Sequence, residues 1–151
     1  TDTAGNGEVQ PPTPEATTHV NLATIQMSGT PRVGQTITFT LSDPSQPNTP
    51  YIFALAQYAQ PGIPLGDGRV IPLIDDVIFR ISLTSPQIFG MQNSFGTLNS
   101  NGQATVTINI PNQAFLANVN VVGAYVTLDM NRPLPDFIRS ISPAVPIPIQ
   151  P

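Results

Sequence analysis

Cysteine is absent from the 151 residues, and so are lysine and tryptophan. Without cysteine there is no disulfide framework, no zinc–thiolate site and no thiol nucleophile. Without lysine there is no Schiff-base chemistry and no P-loop phosphate site. Charge of either sign is scarce: 9% of residues are charged, against about 25% in an average soluble domain. The five cations are scattered arginines and the net charge is −4. Phosphate-backbone binding needs clustered positive charge, so nucleic acid is not an expected partner. No apolar run approaches the roughly 20 residues of a membrane helix, so membrane insertion is not expected either.

Proline and glycine are plentiful, at 18 and 11. Proline lacks a backbone donor and clashes with the preceding helical turn, which argues against long helices. The 15 isoleucines and 11 valines outnumber the 10 leucines, a bias toward strands. Apolar residues at 40% suffice for one sizeable core.

The pattern along the chain is that of strands and turns. Thr36 to Leu41 alternates, with Ile37, Phe39 and Leu41 on one face. Tyr51 to Ala59 is apolar on both parities, so it is covered on two sides or meets a partner on one. Arg69 to Ile74 reads as a short edge strand interrupted by Pro72. Val77, Phe79, Ile81 and Leu83 share one parity and read as another strand. Phe95 to Ile110 reads as a hairpin turning at Asn99-Ser100-Asn101-Gly102, where Asn-Gly supplies positive φ. Val119–Leu128, Phe137–Ile141 and Val145–Ile149 complete the set, and Pro111–Ala117 has room for one helical turn. Seven or more strands without an amphipathic helix predict an all-β fold: an Ig-like antiparallel β-sandwich with extended N- and C-terminal arms. The arms are residues 1–18 and 142–151, around a sandwich over 19–141.

The N-terminal arm is polar, rich in threonine and proline, and Val9 is its one large aliphatic residue. It cannot bury enough surface alone to offset its ordering entropy. Because the sequence starts at Thr1 and not at methionine, it reads as processed or cut from a longer protein. At the other end, Val145, Ile147 and Ile149 share a parity opposed to Pro146 and Pro148. The prolines remove donors from one side of that strand only. It can pair with one sheet edge and cannot template another strand. Three readings follow: the domain's own last strand, a polyproline linker, or a donor strand completing a neighbouring subunit.

Four phrases, SGTPRVGQTITFTLS (Ser28–Ser42), GIPLGDGRVIPL (Gly62–Leu73), FGTLNSNGQATVTINIP (Phe95–Pro111) and AYVTLD (Ala124–Asp129), occur in one order. Together they resemble an Ig-like β-sandwich module of exported bacterial proteins, over roughly Ser28–Asp129. The resemblance implies an extracellular setting and a sandwich, and carries over no catalytic residue.

Chemistry is sparse. His19 is the only histidine, which rules out a His-rich metal site. Asp67, Asp75, Asp76 and Asp129 are the carboxylates that a glycoside hydrolase would need in pairs. Each has a structural use instead: Asp67-Gly68 is a turn dipeptide, Asp75-Asp76 begins a strand and Asp129 ends one. Asp67 and Arg69 suit a surface ion pair. No cofactor is expected, and Asp75 with Asp76 would be the ligands if calcium bound. The protein therefore reads as a non-enzymatic structural subunit of a secreted filament, sheath or surface layer, with copies of itself as partners. Its assembly residues would be Val145, Ile147, Ile149, Pro146, Pro148, Tyr51, Phe53, Tyr58 and Val9. The alternative is an adhesion or carbohydrate-binding module using Tyr58, Asp67, Arg69, Asn93 and Arg132 on a surface or glycan.

Overall fold

The computed structural model describes residues 22–151. Val9, His19 and the arm over residues 1–18 lie outside them. Alternation dictates the central strands. Ile37, Phe39 and Leu41 of β2 (Thr36–Ser42) are fully buried, while the intervening threonines face outward or are half-buried. Burial of each such side chain contributes at most about 1.5–3 kcal/mol. β2 lies between β1 (Thr24–Ser28) and β8 (Gln103–Asn109), and β8 also carries the short β6 (Met91–Gln92). These form a four-stranded sheet in the order β1-β2-β8-β6, all pairs antiparallel.

The second sheet has the order β10-β9-β3-β7, with β11 also on β9. Its members are β3 (Pro50–Ala56), β7 (Phe95–Thr97), β9 (Asn120–Leu128), β10 (Ile138–Ile141) and β11 (Val145–Pro148). β10 and β11 follow one another along the same edge of β9, Ile141 opposite Val126 and Val145 opposite Gly123. Between them Ser142 carries the ladder. Its N–H donates to Tyr125 O and its Oγ accepts the Tyr125 N–H, both at 2.9 Å. The main core draws on both sheets, and the Phe39 and Phe53 rings meet at 5.0 Å.

The segment between β3 and β6 departs from expectation. Val77–Thr84 is a helix, α1, and not a strand. Ser82 is buried and Ile78, Phe79 and Leu83 pack against the core clusters, a helical spacing, whereas Val77 is exposed. Asp76 caps it, accepting the Phe79 N–H at 2.8 Å. The edge strand expected over Arg69–Ile74 shrinks to β5 (Val70–Ile71), paired with β4 (Ile63–Pro64). Leu73, Phe79 and Leu83 pack on Ala54, Ala56 and Ala124, the outer face of β3 and β9. The doubly apolar strand is thus covered by its own chain.

The turn at Asn99–Gly102 forms, with Gly102 at φ 75°, but it does not close a hairpin. β7 pairs with β3 of one sheet, and β8 pairs with β2 of the other. Asn99 Oδ1 accepts the N–H groups of Asn101 and Gln103 at 2.8 and 3.0 Å, fixing the turn while the chain crosses between sheets. A single 3₁₀ turn at Ala114–Leu116 occupies the expected place.

Candidate functional site

The residues expected to drive assembly are dispersed. Tyr51 and Phe53 are buried in the main core, 4% and 0% exposed, and the Tyr51 hydroxyl donates to Asn93 O at 2.6 Å. Burial raises the Tyr51 pKa above its ordinary 10.0. Tyr58 is exposed. Ile147 is 2% exposed, and Val145 and Ile149 are half-buried against the same core. The Ile149 N–H donates to Val119 O at 2.9 Å and its carbonyl accepts the Asn118 N–H at 2.7 Å. The intact side of the C-terminal strand therefore faces β9 of the same chain. Pro146 and Pro148 are exposed, and the backbone side they would have served faces away from β9.

Both long edges of the second sheet carry devices that block further strands. On β3 beyond Ile52, Ser94 O takes the Phe53 N–H at 2.7 Å, Ser82 Oγ takes the Leu55 N–H at 3.1 Å, and Asp76 Oδ2 takes the Gln57 N–H at 2.9 Å. Two side chains of the α1 segment thus occupy donors that an added strand would need. On β11 the prolines serve the same end.

A concavity lies along β10, a groove of about 1120 Å³. Its walls come from five separate stretches: Leu22, the loop after β2, the turn around Asp67–Pro72, the loop Arg132–Asp136, and β10 with Ser142 and Pro143. Arg69 builds one wall. It donates through Nε to Asp67 at 3.0 Å, through Nη1 to Arg139 O at 3.0 Å and through Nη2 to Pro135 O at 3.1 Å. This clamps the Asp67–Arg69 turn onto β10. The Arg69 hydrogen bond holds the Asp67 carboxyl below its ordinary pKa. Arg139 donates to Gln46 Oε1 at 2.7 Å, and Arg132 and Arg139 share Asp129 at 3.1 and 3.5 Å. Of the residues proposed for a binding face, Asp67, Arg69 and Arg132 meet here, while Tyr58 and Asn93 lie outside the groove.

Asp75, Asp76 and Asp43 are each engaged within the described residues. Asp75 pairs with Arg80 at 2.8 Å, a hydrogen bond that lowers the Asp75 pKa and raises that of Arg80. Asp76 serves α1 and Gln57. Asp43 is fully buried; its Oδ1 accepts the Ser45 N–H and hydroxyl at 3.1 and 2.5 Å, and its Oδ2 has no hydrogen-bond partner among the described residues. Tyr125, whose hydroxyl donates to Ser42 O at 3.0 Å, has its pKa raised by burial and then by the nearby Asp43 charge. Among the described residues no three His, Cys, Asp or Glu side chains gather as a metal group, and no helix is long and apolar enough to cross a membrane.

The groove residues Gln46, Asp136 and Arg139 were not singled out by sequence. They come from loops far apart in the chain, and no local pattern announces their meeting. No protein-family model matches the chain, and no curated protein matches it.

Proposed function

We propose that this protein is a structural subunit of an extracellular assembly, a filament, sheath or surface layer, built from identical Ig-like sandwiches. The strand order β1-β2-β8-β6 against β10/β11-β9-β3-β7 supports the Ig-like reading, being two antiparallel sheets around one shared core. The observation that carries the functional reading is the scarcity of unpaired cations, together with exposed large apolar side chains, among the described residues. Four of the five arginines, Arg69, Arg80, Arg132 and Arg139, are tied to aspartates of the same chain. Phe115 is 76% exposed and Val77 68%, and Leu134, Met130 and Ile88 are exposed as well. A coat with few unpaired charges lacks the repulsion that keeps monomers apart. Contacts between unlike patches of identical subunits propagate without closing.

Light scattering and electron microscopy of the full-length protein over a range of concentration test this. Polymers or large particles are expected, and Phe115→Asp, at a side chain that supports no core, should reduce them without lowering folding stability. A monodisperse monomer at all concentrations overturns the reading. A second reading, an adhesion or carbohydrate-binding module, is favoured by the meeting of Asp67, Arg69 and Arg132 in one groove. It predicts a monomer with measurable glycan affinity, which a glycan array reads directly.

A further inference from the structure

We propose that copies of this chain join head to tail, the pole bearing Phe115 and Arg32 on one copy meeting the pole bearing Met130, Leu134 and Asp136 on the next. The contact rests on the assembly reading above and names the surfaces that would make it. The two poles are the two ends of β9, whose nine residues span about 27 Å. Its first end is entered from the 3₁₀ turn Ala114–Leu116, and the Val119 N–H donates to Leu116 O at 3.1 Å. Beside it the Asn118 N–H donates to Ile149 O at 2.7 Å, and the next residue, Gln150, is bridged to Arg32. Phe115 and Arg32 therefore share that pole. At the far end the Asp129 N–H donates to Phe137 O at 2.8 Å, which closes a loop carrying Met130, Leu134 and Asp136.

Each pole is apolar at its tip: Phe115 at one, Met130 and Leu134, 65% and 66% exposed, at the other. Charge decides which tip meets which. Arg69, Arg80, Arg132 and Arg139 are bound to Asp67, Asp75 and Asp129 of the same chain. Asp76 caps α1 and Asp43 is buried. Among the described residues this leaves one exposed arginine without an acidic partner, Arg32, and one exposed aspartate without a basic one, Asp136. The spare cation lies on one pole and the spare anion on the other. Like poles brought together would set arginine against arginine or aspartate against aspartate, whereas unlike poles pair them. The contact so selected is heterologous. Because its two halves lie at opposite ends of one axis, repetition extends a line and does not close a small ring.

Sedimentation velocity on full-length variants, alone and mixed, tests the contact, with a thermal melt of each variant to show that its body is folded. Phe115→Asp and Leu134→Asp should each raise the concentration needed for polymers about tenfold or more, the scale of an apolar anchor lost from an interface. Mixed in equal amounts, the two variants should form dimers and stop there, since each supplies the intact pole that the other lacks. Arg32→Asp and Asp136→Arg should each raise the threshold about two- to fivefold, the scale of an exposed ion pair. The two exchanges in one chain should restore growth toward that of the parent. A mixture that yields no dimer, a single variant that pairs with itself, or a charge exchange without rescue overturns the head-to-tail contact, while polymers of the parent chain keep the assembly reading standing. A parent chain that stays monomeric at every concentration removes both.

Discussion

Ser82 Oγ accepts the Leu55 N–H at 3.1 Å while donating to Phe79 O at 2.8 Å. A hydroxyl at 0% exposure thereby joins the helix to the bare edge of β3. Removing it leaves a buried donor unsatisfied. Ser82→Ala should cost about 1–3 kcal/mol, and Asp76→Ala about 1–2 kcal/mol through the lost cap and the freed Gln57 N–H. Urea unfolding of the two variants measures both, and a midpoint equal to the parent's would refute the bridging role.

Glycine at 102 is required by more than its φ of 75°. A Cβ there would stand 2.2 Å from Asp43 O, with the backbone carbon at 2.8 Å. Gly102→Ala should therefore lose about 2 kcal/mol or more. Gly66→Ala, at a similar φ but with nothing within 4 Å, should lose about 1–2 kcal/mol. Thermal melts that rank the pair in the opposite order would count against the crossing geometry.

Ionisation gives two windows. Asp67 and Asp75 have lowered folded pKa values, so their ion pairs help the fold above the ordinary 3.8, and that help fades as pH falls through the lower folded values. Arg80→Ala should return the Asp75 titration toward 3.8, read by carboxyl carbon NMR. Tyr51 and Tyr125 have raised values, so their contribution is whole below the ordinary 10.0 and is lost as pH climbs beyond it. Ultraviolet titration should show both phenols ionising late, at or with unfolding.

Pro146 and Pro148 guard the side of β11 that faces away from β9. Pro146→Thr with Pro148→Thr restores two donors to that edge, and analytical ultracentrifugation should show increased edge-to-edge association. Ile147→Ala, by contrast, empties a core position 2% exposed and should cost about 2–5 kcal/mol.

Strands whose burial alternates were legible: Ile37, Phe39 and Leu41 point inward as their spacing demands. The helix was not. Val77, Phe79, Ile81 and Leu83 share a parity, and the decisive inward residue, Ser82, is polar, so a period of two masks the helical one. Asp76, the cap, was the available signal. Asn99–Gly102 announced a turn correctly, but turn chemistry carries no information about which sheet receives the next strand. The two apolar faces of β3 were also legible; that α1 covers the outer one was not, since coverage is decided by folding of the intervening loop. The groove assembles from five stretches and had no local signature at all.

The last residues also tie the two sheets to each other. Gln150 donates to Pro31 O at 2.7 Å and accepts the Val33 N–H at 3.0 Å, in a parallel bridge with Arg32, while Ile149 holds Val119. Tension applied to the chain's C-terminal end would load these bonds lengthwise and on both layers at once. The body would resist such a pull in shear instead of unzipping one strand at a time.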